Sequence, residues 1–327
     1  ALTSSVPSAS PWSPTKPTAQ LYGDGPAYAY ILHYTTDLGT PVLTSLLQAG
    51  VTVRLVKRPI EVEGQTYPRG SIVMTRRNNE ALWGSMADRL TTLTSEVPGL
   101  TIARLESGMV TSGPDLGASD VAPIDAPRVA VLMGDDVSSL SFGEVWYTFE
   151  EVWDYPMTAV RGLDWLDWDA YDVVVLPNGW YDWNDDQKES IASWVREGGR
   201  LVTLGAACNL GIESWGLSRF SDDEDKAKRR DERNAHSEED RYAPYAMSAR
   251  NGIRSDIPGA VYEVHLDATH PLAYGYDDSY WSIKTSSRRY AHLEDGHNVG
   301  ILSGEASPIS GSVSYTHLRA HETTYDL

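Results

Sequence analysis

The sequence predicts an α/β protein built from two units, each with a mainly parallel sheet. Short apolar runs alternate with segments of helical periodicity along most of the chain. Most of those runs are continuously apolar rather than alternating, and a Gly/Pro-rich stretch divides the series in two. A strand that is apolar at every position is buried on both faces, the usual condition of a parallel sheet covered by helices. With 327 residues, the chain has room for two domains of ordinary size.

Residues 1–26 are rich in Pro, Ser and Thr and read as a linker, because such composition buries too little surface to offset ordering entropy. A small α/β domain is expected over 27–106. Its strands are read at 28–33, 51–56, 70–75 and 100–105, and a hairpin over 60–67 is centred on Gly64. Helices are read at 38–49, where Leu43, Leu46 and Leu47 recur at helical spacing, and at 78–93. Residues 107–127 hold Gly108, Gly113, Pro114, Gly117, Pro123 and Pro127 and read as a connection between domains.

The second domain is expected over 128–313. It has strands at 128–133, 157–160, 171–177, 200–204, 259–266 and 298–302, and helices at 142–153 and 185–197. Within it, 218–258 reads as a charged insertion, since Asp222–Arg241 mixes both signs with almost no apolar periodicity. Ligands of a parallel α/β sheet bind beyond the carboxyl ends of its strands, so the loops 134–142, 177–183 and 205–211 are where a site is expected.

Composition excludes several functions. The net charge of −19 disfavours nucleic acid, which needs a basic stripe. No run of about 18 apolar residues exists, so no membrane span is expected. One cysteine, Cys208, allows neither an internal disulfide nor a thiolate zinc cage. His265, His270, His292 and His297 make no short ligand pair with a carboxylate, so no metal and no cofactor are expected in this chain. His317 and His321 have i, i+4 spacing but fall in 314–327, which resembles translated adapter sequence and reads as an artefactual tail. The chain is therefore expected to be a fragment of a longer protein.

Tyr171-Asp-Val-Val-Val-Leu-Pro-Asn-Gly179, a helix, then Glu197-Gly-Gly-Arg-Leu-Val-Thr-Leu-Gly205 resemble the centre of class I glutamine amidotransferase-like domains. The resemblance implies a flavodoxin-like fold for the second domain and, in active members, a nucleophilic Cys on a sharp turn after the Gly-Gly strand. That turn ordinarily reads Gly-x-Cys-x-Gly, but this chain has Gly205-Ala206-Ala207-Cys208-Asn209-Leu210-Gly211. Ala207 stands in the nucleophile's place and Cys208 is one residue on, a rotation of about 100° along a helix. Active members also carry His-Pro-Glu, where Glu orients the base; here His270-Pro271-Leu272 lacks that carboxylate. Cys208 is thus either a buried structural cysteine at a helix start or a nucleophile at a shifted elbow, with His270 as its base.

A wider resemblance runs through Pro11-Trp-Ser-Pro-Thr15, Gly70-Ser-Ile-Val73, Gly113-Pro-Asp-Leu-Gly117, Phe142-Gly-Glu-Val-Trp146, Ile257-Pro-Gly-Ala-Val-Tyr262 and Thr269-His-Pro-Leu-Ala-Tyr-Gly275. In order, these are similar to the region that follows the catalytic domain in large bacterial zinc carboxypeptidases of the carboxypeptidase A type. The resemblance implies an exported parent with a zinc peptidase domain upstream. That family's zinc ligands and catalytic Glu are not found here, so no catalytic residue carries over. The expected role is a non-catalytic accessory region whose partners are the peptidase domain and peptide substrate, with Trp146, Trp180, Tyr181 and Trp183 as candidate binding rings. Ordinary packing aromatics are the competing reading of those four. A free-standing thiol hydrolase or amidotransferase using Cys208 and His270, and a carbohydrate-associated module, are the alternatives.

Overall fold

The computed structural model describes residues 20–22, 26–34, 36–97, 99–210, 259–285, 290, 292–293, 295–302 and 308–312. Of the linker read over 1–26, residues 1–19 and 23–25 lie outside that set and 20–22 form a strand instead; the charged insertion 218–258 and the tail 314–327 lie wholly outside it. The chain divides into two compact units, Ala1–Ala126 and Pro127–Leu327.

In the first unit the strands are β1 (Gln20–Tyr22), β2 (Ala29–Leu32), β3 (Val53–Val56), β4 (Ile60–Val62), β5 (Gln65–Tyr67), β6 (Ile72–Thr75), β7 (Thr101–Leu105), β8 (Val110–Ser112) and β9 (Val121–Ile124). Helix α1 spans Thr36–Gln48 and α2 spans Trp83–Glu96. A six-stranded sheet runs β1-β7-β2-β6-β3-β9. The expected parallel pairing is corrected here: only β1 and β7 pair parallel, and the other four neighbouring pairs are antiparallel. The reason lies in the crossovers. Helix α1 joins β2 to β3 and α2 joins β6 to β7, each pair parallel in direction but with one strand between them in the sheet. The two β-α-β units interleave, so every neighbour within them is antiparallel.

Side chains alternate across this sheet. Tyr30 and Leu32 of β2 and Ile72 and Met74 of β6 face one core with Val42 and Leu46 of α1 and Met86 and Leu90 of α2. Ala29, Ile31 and Val73 face a second core with Val56, Ile60, Val62 and Tyr67. That second face is covered by a small three-stranded sheet, β5-β4-β8, instead of helices. Each fully buried Leu or Ile here contributes roughly 2 kcal/mol.

Two sequence expectations change in detail. Helix α2 begins at Trp83 rather than near residue 78, because Asn79 is buried and bonds to Thr52 N–H, Thr52 C=O and Thr75 C=O across the sheet. The stretch 107–127, expected as a connection, instead carries β8 and β9 within the first unit. Pro123 is tolerated because β9 is an edge strand, where a missing N–H costs no ladder bond.

The second unit contains β10 (Val129–Met133), α3 (Ser139–Tyr147), β11 (Thr158–Arg161), β12 (Val173–Leu176), α4 (Asp185–Arg196) and β13 (Arg200–Thr203). A turn of π-helix, Thr148–Val152, continues α3. Its sheet is parallel throughout, in the order β11-β10-β12-β13. Ala130, Leu132, Val174 and Leu176 pack toward Ile191 and Trp194 of α4, whereas Val129, Val131 and Val175 pack toward Phe142 and Val145 of α3. The sheet is therefore covered on both faces, and the α/β class read from its apolar strands holds. Asn184 caps α4 in a capping box with Gln187, satisfying two orphan groups at the helix start.

Beyond residue 258, β14 (Gly259–Leu266) pairs antiparallel with β15 (Ser279–Lys284), β16 (Gly300–Ile301) and β17 (Ser310–Ser312). This second sheet departs from the parallel arrangement expected of the whole domain. The link from β14 to β15 carries only the short 3-10 segment Pro271–Ala273 and no crossover helix, so these two strands run antiparallel. No helix among the described residues is long and apolar enough to cross a membrane.

Candidate functional site

Three loops meet at the carboxyl ends of β10, β12 and β13. Strand order reverses between β10 and β12, the place where ligands of open α/β sheets bind. The first two loops are stitched by backbone bonds: Ser138 N–H donates to Asn178 C=O at 2.9 Å, and Trp180 N–H to Asp136 C=O at 2.7 Å. Val137 and Gly179 thus form an isolated bridge. A Cβ on Gly179 would fall 2.3 Å from the Asp136 carbonyl oxygen, so only glycine permits this approach. The buried Ser141, in the first turn of α3, accepts from Asn178 N–H at 2.9 Å.

Asn178 then reaches the third loop. Its Oδ1 accepts from Ala206 N–H at 2.8 Å, in the 3-10 turn Gly205–Leu210 that follows β13. Gly205 has φ +59°, and a Cβ there would meet Asn178 Oδ1 at 2.6 Å. From the far end of the unit, Tyr290 donates toward both Gly205 C=O and Asn209 Oδ1, each 3.2 Å away. The turn is therefore held from two sides by side-chain bonds.

Within that turn Ala207 is fully buried and Ala206 nearly so, whereas Cys208 is half-buried. The expectation of a buried cysteine is corrected accordingly: the two alanines, rather than the thiol, fill the space under the turn. Cys208 Sγ lies 3.4 Å from Thr203 Oγ1 and 3.5 Å from Thr203 C=O, so the thiol turns back onto its own strand. His270 sits after β14, in the antiparallel sheet. Its Nδ1 accepts from Leu272 N–H at 3.2 Å, and its ring lies 5.1 Å from that of His297. Among the described residues no hydrogen bond joins Cys208 to His270. The pair that the thiol reading relies on is therefore not brought into hydrogen-bond contact by the described residues.

The four candidate binding rings separate into two pairs. Trp183 is buried beside Ile191 and Trp194, and Tyr181 packs edge-on against it at 5.1 Å. Tyr181 donates its hydroxyl to Pro177 C=O at 2.6 Å, and burial, aided by the Asp136 charge, pushes its phenol well above the ordinary range. These two rings are core. Trp180 is 80% exposed and Trp146 42% exposed, free to meet a ligand. Leu140, also 80% exposed, is the second residue of α3, the helix that follows the first of the stitched loops. Sequence reasoning missed Leu140, Asn178 and Tyr290. The Pro-Asn-Gly step after β12 was the one available signal, since a polar residue ending a buried strand needs partners.

Among the described residues no group of three or more His, Cys, Asp or Glu side chains could hold a metal ion. Zinc, which the family resemblance implies for a parent peptidase, has no fitting ligand set there. Comparison with protein-family models, with curated proteins and with solved structures returns no match.

Proposed function

We propose that the chain is a non-catalytic accessory region of a bacterial zinc carboxypeptidase, its second unit a flavodoxin-like, class I glutamine amidotransferase-like domain that has lost its nucleophile. The observation that carries the reading is the turn after β13. Ala207, at the position of the amidotransferase thiol, is packed in the core, and Cys208 bonds back to Thr203. The parallel order β11-β10-β12-β13 supports the fold assignment. The carboxypeptidase assignment rests on the ordered sequence landmarks from Pro11 to Gly275. In this role the exposed Trp180 and Leu140 hold peptide at the strand ends, while a separate peptidase domain supplies zinc chemistry.

The test is turnover by the isolated chain, with and without added zinc, on peptides bearing free C-termini and on glutamine. The reading predicts no release of C-terminal residues and no release of ammonia. Turnover that Cys208→Ser abolishes would make the thiol hydrolase reading correct. Turnover that a chelator abolishes would put the peptidase centre in this chain.

A further inference from the structure

Strand β15 lies at one side of the order β15-β14-β16, and no described strand pairs beyond it. Its six residues make it the longest edge strand among the described residues; β1, β9, β11 and β13 have three or four. Proteins ordinarily blunt such an edge with proline, a bulge or a charge. Edge strand β9 carries Pro123, for example. Strand β15 reads Ser-Tyr-Trp-Ser-Ile-Lys, has no proline, and keeps an unbroken register with β14 from Ser279 to Lys284. Its one charge stands at its last position, and its large apolar side chains face water: Trp281 is 65% and Ile283 67% exposed.

The backbone groups along that edge follow from the ladder. Leu266 N–H donates to Asp278 C=O at 2.8 Å, and on the other side of β14 Ile309 N–H donates to Val261 C=O at 2.8 Å. Bonded pairs alternate along an antiparallel ladder. Tyr280, Ser282 and Lys284 therefore bond toward β14, while Ser279, Trp281 and Ile283 direct their N–H and C=O outward. A strand added antiparallel sets residues of the same face opposite one another. In one register β15 complements itself. With a two-fold axis through Ser282, Trp281 stands opposite Ile283 of the second copy, and Tyr280 opposite the second copy's Lys284. The first match, an aromatic ring beside a β-branched side chain, forms twice on the exposed face. Lys284 also stands diagonal to Asp278 of the second copy, so opposite charges meet at both ends of the seam. An axis through Trp281 would set Ile283 against Ser279 and leave it without an apolar partner.

We propose that β15 is a self-association edge: two copies of the chain join antiparallel through β15 about a two-fold axis at Ser282, and the sheet continues across the dimer. Such an interface is isologous, so pairing consumes both edges at once and closes at two copies. A six-residue ladder is at the small end of specific interfaces, under about 1,200 Å², so the dimer is reversible and its population follows protein concentration. Each copy carries a net charge of −19, which opposes approach at low ionic strength and is screened by salt. The inference rests on the second unit alone and is independent of the accessory role proposed above.

The experiment is sedimentation velocity on the full chain at about 0.15 M salt, from about 1 μM to about 300 μM protein. The wild-type chain should pass from one copy to two as concentration rises, with no larger species. Ile283→Pro removes an outward N–H and spares the bonds to β14, so it should weaken dimerisation about tenfold or more while the near-ultraviolet dichroism stays that of the wild type. Register is tested separately in a Cys208→Ser background. Ser282 meets its own copy across the axis as a non-bonded pair, with Cα atoms about 4.5 Å apart and within disulfide reach. Ser282→Cys should therefore cross-link under mild oxidation, whereas Tyr280→Cys, which faces Lys284, should not. If Ile283→Pro fails to fold, the cross-link comparison still decides. A chain that stays single at every concentration would overturn the proposal, as would a folded Ile283→Pro that dimerises like wild type or equal cross-linking of the two cysteine variants. An extended peptide that binds β15 of a chain remaining single would overturn it too, by assigning the edge to another partner.

Discussion

Asn178 Oδ1 accepts a 2.8 Å hydrogen bond from Ala206 N–H, joining the loop after β12 to the turn after β13. Its backbone N–H and C=O meanwhile bond to Ser141 and Ser138 at the start of α3. One residue thereby ties three strand ends together. Asn178→Ala leaves the Ala206 amide without this acceptor, and the expected cost is about 1–2 kcal/mol. Urea unfolding would measure it, and a midpoint equal to wild type would show that the staple is dispensable.

Gly179→Ala tests the same junction by sterics. The new Cβ would sit 2.3 Å from Asp136 C=O, a backbone atom that cannot swing aside as a flexible side chain would. The expected destabilisation is about 1–3 kcal/mol, typical of overpacking. Gly143→Ala, where nothing lies within 4 Å of the added carbon, should have far less effect and serves as the control. Equal melting temperatures for the two variants would contradict the close approach.

Acid should weaken the second unit at the opposite end of its sheet. Asp172 receives Arg128 Nε at 3.1 Å, Arg128 Nη2 at 2.9 Å and the Arg128 backbone N–H at 2.7 Å. These bonds, the guanidinium first, push its carboxyl down to about 2. A carboxyl whose folded value lies below its unfolded value of about 4 stabilises the fold above pH 4, and that contribution is lost as pH falls from 4 toward 2. Because both side chains are a third or more exposed, solvent screening holds the contribution to about 1 kcal/mol or less. Asp172→Asn should be less stable than wild type at pH 6 and indistinguishable from it near pH 2. A difference that persists unchanged at pH 2 would assign the effect to packing instead of charge.

Much of the second unit was legible in the sequence because its strands and helices obey their local rules. Strand β14 begins and ends where its apolar run does, at Gly259 and Leu266, and α4 starts at Asp185 after its Asn184 cap. Strand direction in the first unit was not legible. All four residues of β2 are buried, which tells that both faces are covered but not by what. A small sheet covers one face, and the insertion of β6 between β2 and β3 is set by tertiary pairing that no local pattern encodes. Pro123 and the glycines of 107–127 disguised β8 and β9, short strands whose ladders tolerate such residues.

The candidate site was legible as a set of loops and only in part as residues. Trp180 and Trp183 look alike in sequence, yet one is 80% exposed and the other 7%, because Trp183 precedes α4 and faces its core. Tyr290 meets Gly205 across 85 positions, a contact that only the folded chain makes. That Cys208 stands in the third position after Gly205 was readable from the sequence. That it bonds to Thr203 was not.

The most direct measurement is the alkylation rate of Cys208, the single cysteine of the chain, by iodoacetamide at neutral pH. A thiolate activated for catalysis by a base or helix terminus reacts faster in the folded protein than in the unfolded chain. A half-buried thiol bonded to Thr203, with no described hydrogen bond to His270, predicts the reverse: slow labelling when folded and faster labelling in denaturant. Native labelling that outpaces the denatured chain, and that His270→Ala slows, would contradict the account and make the second unit an enzyme.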